Sequence, residues 1–451
     1  MDGLTLLIVF LLVICFLVIL AWFFYRSNNL VFPAIATVTA TFQFYSLLPI
    51  IGIYPSISTV ASILSVKSIN LSQLIKFGWV RAFLMLESFR FVSIFWSPQP
   101  MLGIRNLIYE IPFLFIVSAF ASPDPVFYNA KQKIIYYSLL SISANAILVI
   151  LFRLFPQIEL LFLSSFIAKI FMGTNAIESF LYESDVFSFT TLDPDKAGGF
   201  FFNGNVAATF LGIGAMGGWF IGQVQKSFIL KCSGILCWCA VFFTGSKAAV
   251  MIALILPCLL YMLGLICSNT LTLQKIIVFL CVSLTFAVSL QIAYMLLSDS
   301  AFLHNSSSTL DSRKTIWSYA LQAFPSHFFT GLGFGGWSQS APLLAINGYR
   351  STMPEHSLFL KMWSESGILA LLVSIYYWFA LPIFLIKYLI LAKGVDVKIV
   401  MAALGSTLWI YFGTLGENYG FVGELHITPI FAMLIGYAVH QISSTNFSSR
   451  V

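Results

Sequence analysis

Three short stretches carry the side chains best equipped for chemistry in this chain. They are the turn Thr244-Gly245-Ser246-Lys247, the segment Asp311-Ser312-Arg313, and Pro354-Glu355-His356. Arginine suits phosphate because its planar fork donates two parallel hydrogen bonds to phosphoryl oxygens, and lysine adds a compact point charge. An anion the size of a pyrophosphate could be held between Arg313 and Lys247. Histidine titrates near neutrality and can take the proton of an attacking hydroxyl, which makes His356 the candidate general base. Each residue also has a plainer reading: Lys247 as a lysine snorkelling to a membrane interface, Arg313 as a surface helix residue, His356 as a satisfied loop histidine. His304, His327, His426 and His440 have no partner spacing that stands out and are read as structural.

The elements that must position these residues are membrane spans. Of 451 residues, 59% are apolar and only 9% charged, which lies far outside the soluble range and makes lipid the solvent. The run from Leu4 to Phe24 reaches the roughly 20 apolar residues that cross a hydrocarbon core of about 30 Å. It lacks the basic start and small-residue cleavage site of a removable leader and is kept as the first span. Further runs lie near 30–53, 78–97, 102–121, 134–157, 206–223, 228–244, 247–267, 276–297, 366–386, 398–415 and 427–442. The expected fold is therefore an all-α polytopic membrane protein of about twelve transmembrane helices, one integral membrane domain over 1–451.

With both termini cytoplasmic, the inside loops hold Lys67, Lys76, Lys131, Lys133, Lys226, Lys231, Lys275, Lys387, Lys393, Lys398 and Arg450. That arrangement satisfies the positive-inside rule loop after loop. It puts Lys247, Arg313 and His356 together on the non-cytoplasmic face. Two outward segments exceed simple turns: 158–205, acidic around Glu183, Asp185, Asp193 and Asp195, and 298–365, whose helical patterning with Trp317, Tyr319 and Phe324 reads as folded.

The span at 78–97 carries Arg81, Glu87 and Arg90, with Glu87 and Arg90 spaced to share a helix face. Ionisable residues at membrane depth face a bundle interior or a wet cavity, so these two read either as a buried structural pair or as part of a site. The seven cysteines all fall in or at the ends of apolar runs, and no histidine cluster accompanies Cys237 and Cys239. No disulfide, metal or cofactor is expected. Gly331-Leu332-Gly333-Phe334-Gly335-Gly336 matches a dinucleotide-binding pattern by letter, but sits in an outward loop where that pattern needs a strand and a helix. Nothing points to a nucleic-acid partner.

The order and spacing of several motifs are more specific than any one of them. These are Gly198-Gly199-Phe200-Phe201-Phe202-Asn203-Gly204-Asn205 entering a span, Phe243-Thr244-Gly245-Ser246-Lys247-Ala248-Ala249, Ser312-Arg313-Lys314-Thr315-Ile316-Trp317, Gly331-Leu332-Gly333-Phe334-Gly335, and Glu355-His356-Ser357-Leu358-Phe359 followed by Glu365-Ser366-Gly367-Ile368, with an early Phe95-Trp96-Ser97-Pro98. Over about residues 90–385 the chain resembles the O-antigen ligase and polymerase family, bacterial membrane enzymes that transfer sugars from undecaprenyl-diphosphate carriers. It departs in having Lys247 where the family usually has arginine, and Ser357 where it usually has asparagine.

The resemblance implies a GT-C-like, metal-independent glycosyltransferase without a cofactor in the bacterial inner membrane, its site facing the periplasm. Arg313 and Lys247 would hold the lipid diphosphate and His356 would activate the acceptor hydroxyl, with Asn205, Arg90 and Glu355 as additional site candidates. The partners implied are the undecaprenyl-diphosphate-linked oligosaccharide and membrane lipids, with room for a polysaccharide chain-length regulator. Within the family the preferred reading is a polymerase, whose acceptor is another lipid-linked repeat unit, because Lys247 and Ser357 fit the more divergent members. The alternative is a ligase, whose acceptor is lipid A-core. A transporter or lipid flippase ranks behind both, since no internal repeat is found and the polar residues concentrate in one outer loop.

Overall fold

The computed structural model describes residues 28–47, 54–124, 128–174, 176–178, 196–267, 277, 313–322, 324–340, 344–346, 349–351, 354–391, 396–417 and 420–448. Six helices among them are long and apolar enough to cross a membrane: Pro100–Ala121, Tyr128–Leu154, Gly204–Val224, Lys247–Gly264, Leu358–Ile390 and Val397–Thr414. The expected spans at 228–244 and 427–442 correspond to the shorter apolar helices Phe228–Val241 and Ile427–Ser443. The 4–24 and 276–297 runs lie outside the described residues.

The stretch expected as one span over 30–53 is broken instead. Helix α1 (Val31–Thr39) ends and the chain turns with Gln43 and Phe44 at φ of 59° and 50°. Tyr45 then bridges to Ser56, and α2 (Ile57–Leu64) returns beside α1, where the Ser58 hydroxyl donates to the Ala36 carbonyl at 2.9 Å. The Ser68 hydroxyl closes the other end by donating to the Asn29 carbonyl. Turn and helices are alike apolar, so hydropathy alone reads one crossing where there is a hairpin of two short helices.

Six further helices make the frame: α3 (Gly78–Ser93), α4 (Pro100–Glu110), α5 (Pro112–Ala121), α6 (Tyr128–Leu154), α7 (Pro156–Leu163) and α8 (Phe166–Met172). The centre is α9 (Gly204–Val224), whose buried face of Ala207, Ala208, Gly212, Gly214, Ala215 and Gly218 lets neighbouring helices approach closely. It packs against α6, α10 (Phe228–Val241) and α14 (Val397–Thr414), with α11 (Lys247–Cys267) also in contact. Helix α12 covers 313–322, and the two three-residue strands β1 (Leu344–Ile346) and β2 (Tyr349–Ser351) pair antiparallel. Helix α13 (Leu358–Leu391) is interrupted at Gly367, where φ is 82°. A side chain there would meet the Phe329 carbonyl oxygen at 2.0 Å, so the chain at Phe329 presses directly on the break. Helix α15 (Ile427–Ser448) completes the described chain.

Because successive helices reverse direction, one end of the bundle collects the start of α9, the turn between α10 and α11, the start of α13 and the end of α14. The opposite end carries Lys226, Lys231, Lys387 and Lys398. Arg90 of α3 is buried with Glu87 and with Glu110 of α4. Its guanidinium donates to Glu87 at 2.7 Å and, through both terminal nitrogens, to the two Glu110 oxygens at 2.7 Å each. The Phe334 ring lies 4.2 Å from the Arg90 Cζ, and Ser93 meets Ser366 at 2.9 Å. This cluster ties α3, α4, the glycine-rich loop and the break in α13 into one unit.

Candidate functional site

The start of α9 is built by Asn203, whose side chain caps the helix by accepting from the Asn205 backbone N–H at 2.8 Å. Gly204 lies against the Thr244 carbonyl: a Cβ there would sit 2.5 Å from that oxygen, which also accepts from the Ala197 N–H at 3.3 Å. The turn that bears Lys247 is thus packed directly against the turn that bears Asn205. Gly245, at φ 72°, takes the left-handed conformation that lets the chain leave α10 and enter α11 immediately.

Arg313 is the first described residue of α12. The Trp317 indole, one turn later, donates to the Glu355 carbonyl at 2.9 Å and anchors α12 to the segment before α13. That segment holds His356 at φ 48°, a left-handed conformation costly for a non-glycine residue and retained only where surroundings impose it. The Glu355 side chain is turned to Ser364. It is buried and accepts from the Ser364 hydroxyl at 3.1 Å, and burial, with the Glu365 charge adding, pushes its carboxyl up to about 7.

The residue that brings the candidates together is Glu417, in the loop after α14. One carboxylate oxygen accepts from Asn205 Nδ2 at 2.8 Å and from Arg313 Nη2 at 3.1 Å. The other lies 3.7 Å from His356 Nδ1. Asn205, Arg313 and His356 thus come from elements separated by some 150 residues of chain and converge on one carboxylate. Glu417 is mostly buried, whereas Arg313 and His356 keep 23% of their side chains exposed, so an opening reaches both. Arg313 Nε and His356 Nδ1 are buried and have no hydrogen-bond partner among the described residues.

The other candidates lie elsewhere. Arg90 is enclosed by the carboxylates of Glu87 and Glu110, and Glu355 faces Ser364. His426, read as structural, is buried against the Tyr45 hydroxyl, with which its Nε2 makes a 2.9 Å hydrogen bond. Burial holds its pKa down at about 3, so it stays neutral, and burial raises the neighbouring Glu424 carboxyl to about 7. Among the described residues no cluster of three or more metal-ligating side chains occurs.

Glu417 escaped the reading of the sequence because it stands about 50 residues beyond the last motif, in a short loop without a pattern of its own. One signal was present: cations gathered at one end of the bundle call for an acid at the same end, and the α14–α15 loop is where the helix order supplies one.

These features define a helical, polytopic membrane protein with a histidine, an arginine and a lysine-bearing turn assembled at one end. Comparison with known families goes one step further: residues 232–375 match the family model described as O-antigen ligase. Over that stretch the family resemblance read from the motifs is borne out. The match contains Lys247, Arg313 and His356, and leaves Asn205 and Glu417 outside. No curated protein matches the chain.

Proposed function

We propose that the protein is a glycosyltransferase of the bacterial inner membrane that moves a glycan from an undecaprenyl-diphosphate carrier to a sugar hydroxyl at the periplasmic face. The convergence of Arg313 and His356 on Glu417, beside the turn carrying Lys247, is the observation that carries this reading. The lysines gathered at the opposite end of the bundle support a periplasmic site through the positive-inside rule.

In this mechanism Arg313 and Lys247 hold the diphosphate, with the arginine donating along two parallel bonds. The acceptor oxygen attacks the anomeric carbon, and the new C–O bond forms as the bond from that carbon to the phosphate oxygen breaks. The bonding electrons leave with undecaprenyl diphosphate, whose growing charge the two cations stabilise. The acceptor proton passes to His356, giving an imidazolium that later loses it to water or to the released diphosphate.

The acceptor we favour is a second lipid-linked repeat unit, because Lys247 and Ser357 depart from the family pattern toward its divergent polymerases. The description of the matching family model supports the second reading, a ligase acting on lipid A-core. The lipopolysaccharide ladder of a deletion strain tests the two. A lone band of core plus one unit is the polymerase result, bare core the ligase result, and an unchanged ladder removes both.

A further inference from the structure

Resting on the reading of His356 as general base, we infer that Glu417 is a positioning residue for the reaction. It holds His356 with the proton on Nδ1, so that Nε2 presents its lone pair to the acceptor hydroxyl.

The geometry assigns the two oxygens of Glu417 different tasks. One is occupied by Asn205 at 2.8 Å and Arg313 at 3.1 Å, which fixes the carboxylate plane. The other is directed at His356 Nδ1, 3.7 Å away. A neutral imidazole has one N–H and one acceptor nitrogen, and a carboxylate beside Nδ1 favours the proton there. The buried Nδ1 has no other partner among the described residues, and the ring's exposure lies on its remaining edge. At 3.7 Å the contact is longer than a hydrogen bond, as catalytic contacts often are before substrate is present.

Substrate binding supplies a reason for it to shorten. The diphosphate competes with Glu417 for Arg313, and a carboxylate that loses this cation turns toward the imidazole. Once His356 takes the acceptor proton, the Glu417 charge stabilises the imidazolium, the role the buried aspartate plays in serine hydrolases. The backbone of His356 at φ 48° limits how else the ring can be placed, so orientation depends on this partner.

The role separates binding from turnover. A negative charge near a diphosphate weakens donor binding, whereas a base without its partner lowers the rate. Glu417→Gln keeps the size and an acceptor for Asn205 and Arg313 but removes the charge facing His356. It is expected to bind the lipid-linked donor as tightly as the wild type or more so, with kcat down by roughly 10²-fold or more. Glu417→Asp, which keeps the charge, falls between the two. His356→Ala with Glu417→Gln is no slower than His356→Ala alone, because residues that act through each other are not additive.

The experiment compares these four variants with wild type in detergent, measuring donor affinity, transfer rate and melting temperature for each. The proposal is overturned if Glu417→Gln keeps kcat within a few-fold of wild type, if it loses donor binding in parallel with kcat, or if the double variant is slower by the product of the two single losses. Should Glu417→Gln fail to fold, the same comparison runs on Glu417→Asp: a kcat below wild type with donor binding kept supports the assignment, and a kcat equal to wild type, or donor binding lost in parallel with kcat, overturns it. A folded His356→Ala enzyme with near-normal turnover removes the general-base reading itself, whatever the Glu417 variants do.

Discussion

Replacing Arg313 by lysine keeps the charge and removes the fork, and the outcome can be sized from its surroundings. Its Nη2 is held by Glu417 at 3.1 Å and its Nε has no described partner, so the guanidinium is fixed at one corner with donors left for an anion. A hydrogen bond to a charged group contributes about 1.5–3 kcal/mol. Lysine can replace one of two parallel phosphate bonds, and each 1.4 kcal/mol is about tenfold, so Arg313→Lys is expected to lower kcat/KM by roughly 10- to 10²-fold. Arg313→Ala, which also leaves Glu417 facing the diphosphate with one cation fewer, costs no more than about a further tenfold. The assay is initial-rate transfer from a lipid-linked diphosphate donor in detergent, normalised to protein that elutes folded. Full activity of Arg313→Lys would show that charge alone suffices there, and full activity of Arg313→Ala would remove the residue from the site.

Lys247→Arg restores the arginine usual in the family and is expected to leave kcat/KM unchanged or raised, and a loss beyond tenfold in the same assay would show the turn has adapted to an ammonium. Glu424 tests the pH behaviour of the end of the bundle that carries the candidate site. Its carboxyl stands at about 7 in the folded protein against 4.5 in the free group, so the folded state keeps a proton that the unfolded chain has released. Stability from this group is fully present below 4.5 and lost as pH rises through about 7, by up to about 3 kcal/mol. Melting temperatures of wild type and Glu424→Gln should therefore diverge in favour of the glutamine variant between pH 5 and 8, and parallel curves would refute the assignment. For topology, in a background without native cysteines, Ser326→Cys should react with an impermeant reagent in intact cells and Lys226→Cys only after permeabilisation. The reverse pattern would turn the site to the cytoplasm.

Hydropathy displayed most of the long helices because a span is a local property: the runs at 102–121, 134–157, 206–223, 247–267 and 398–415 need no knowledge of their neighbours. It failed at 30–53, where Gln43 and Phe44 turn back a chain that stays apolar throughout. Glu87 and Arg90 showed their shared face by spacing, yet Glu110, which takes the other half of the guanidinium, is 20 residues away and left no periodic trace. The candidate site was legible in the same measure, as residues brought together and not as tested roles. Arg313 and His356 stood in motifs, while Glu417, the carboxylate between them, became visible only when α14 brought it to the same end of the bundle as α9, α12 and α13. Long-range convergence of this kind is fixed by how helices pack, which a single sequence does not spell out.

The most direct measurement supplies the purified protein with undecaprenyl-diphosphate-linked repeat units alone, with no lipid A-core, and follows glycan length and released undecaprenyl diphosphate. Wild type is expected to make lipid-linked glycans of two and more units with one undecaprenyl diphosphate released per bond formed, and His356→Ala to bind the donor without extending it. Donor left intact under these conditions would contradict the polymerase reading, and extension by His356→Ala would contradict the mechanism.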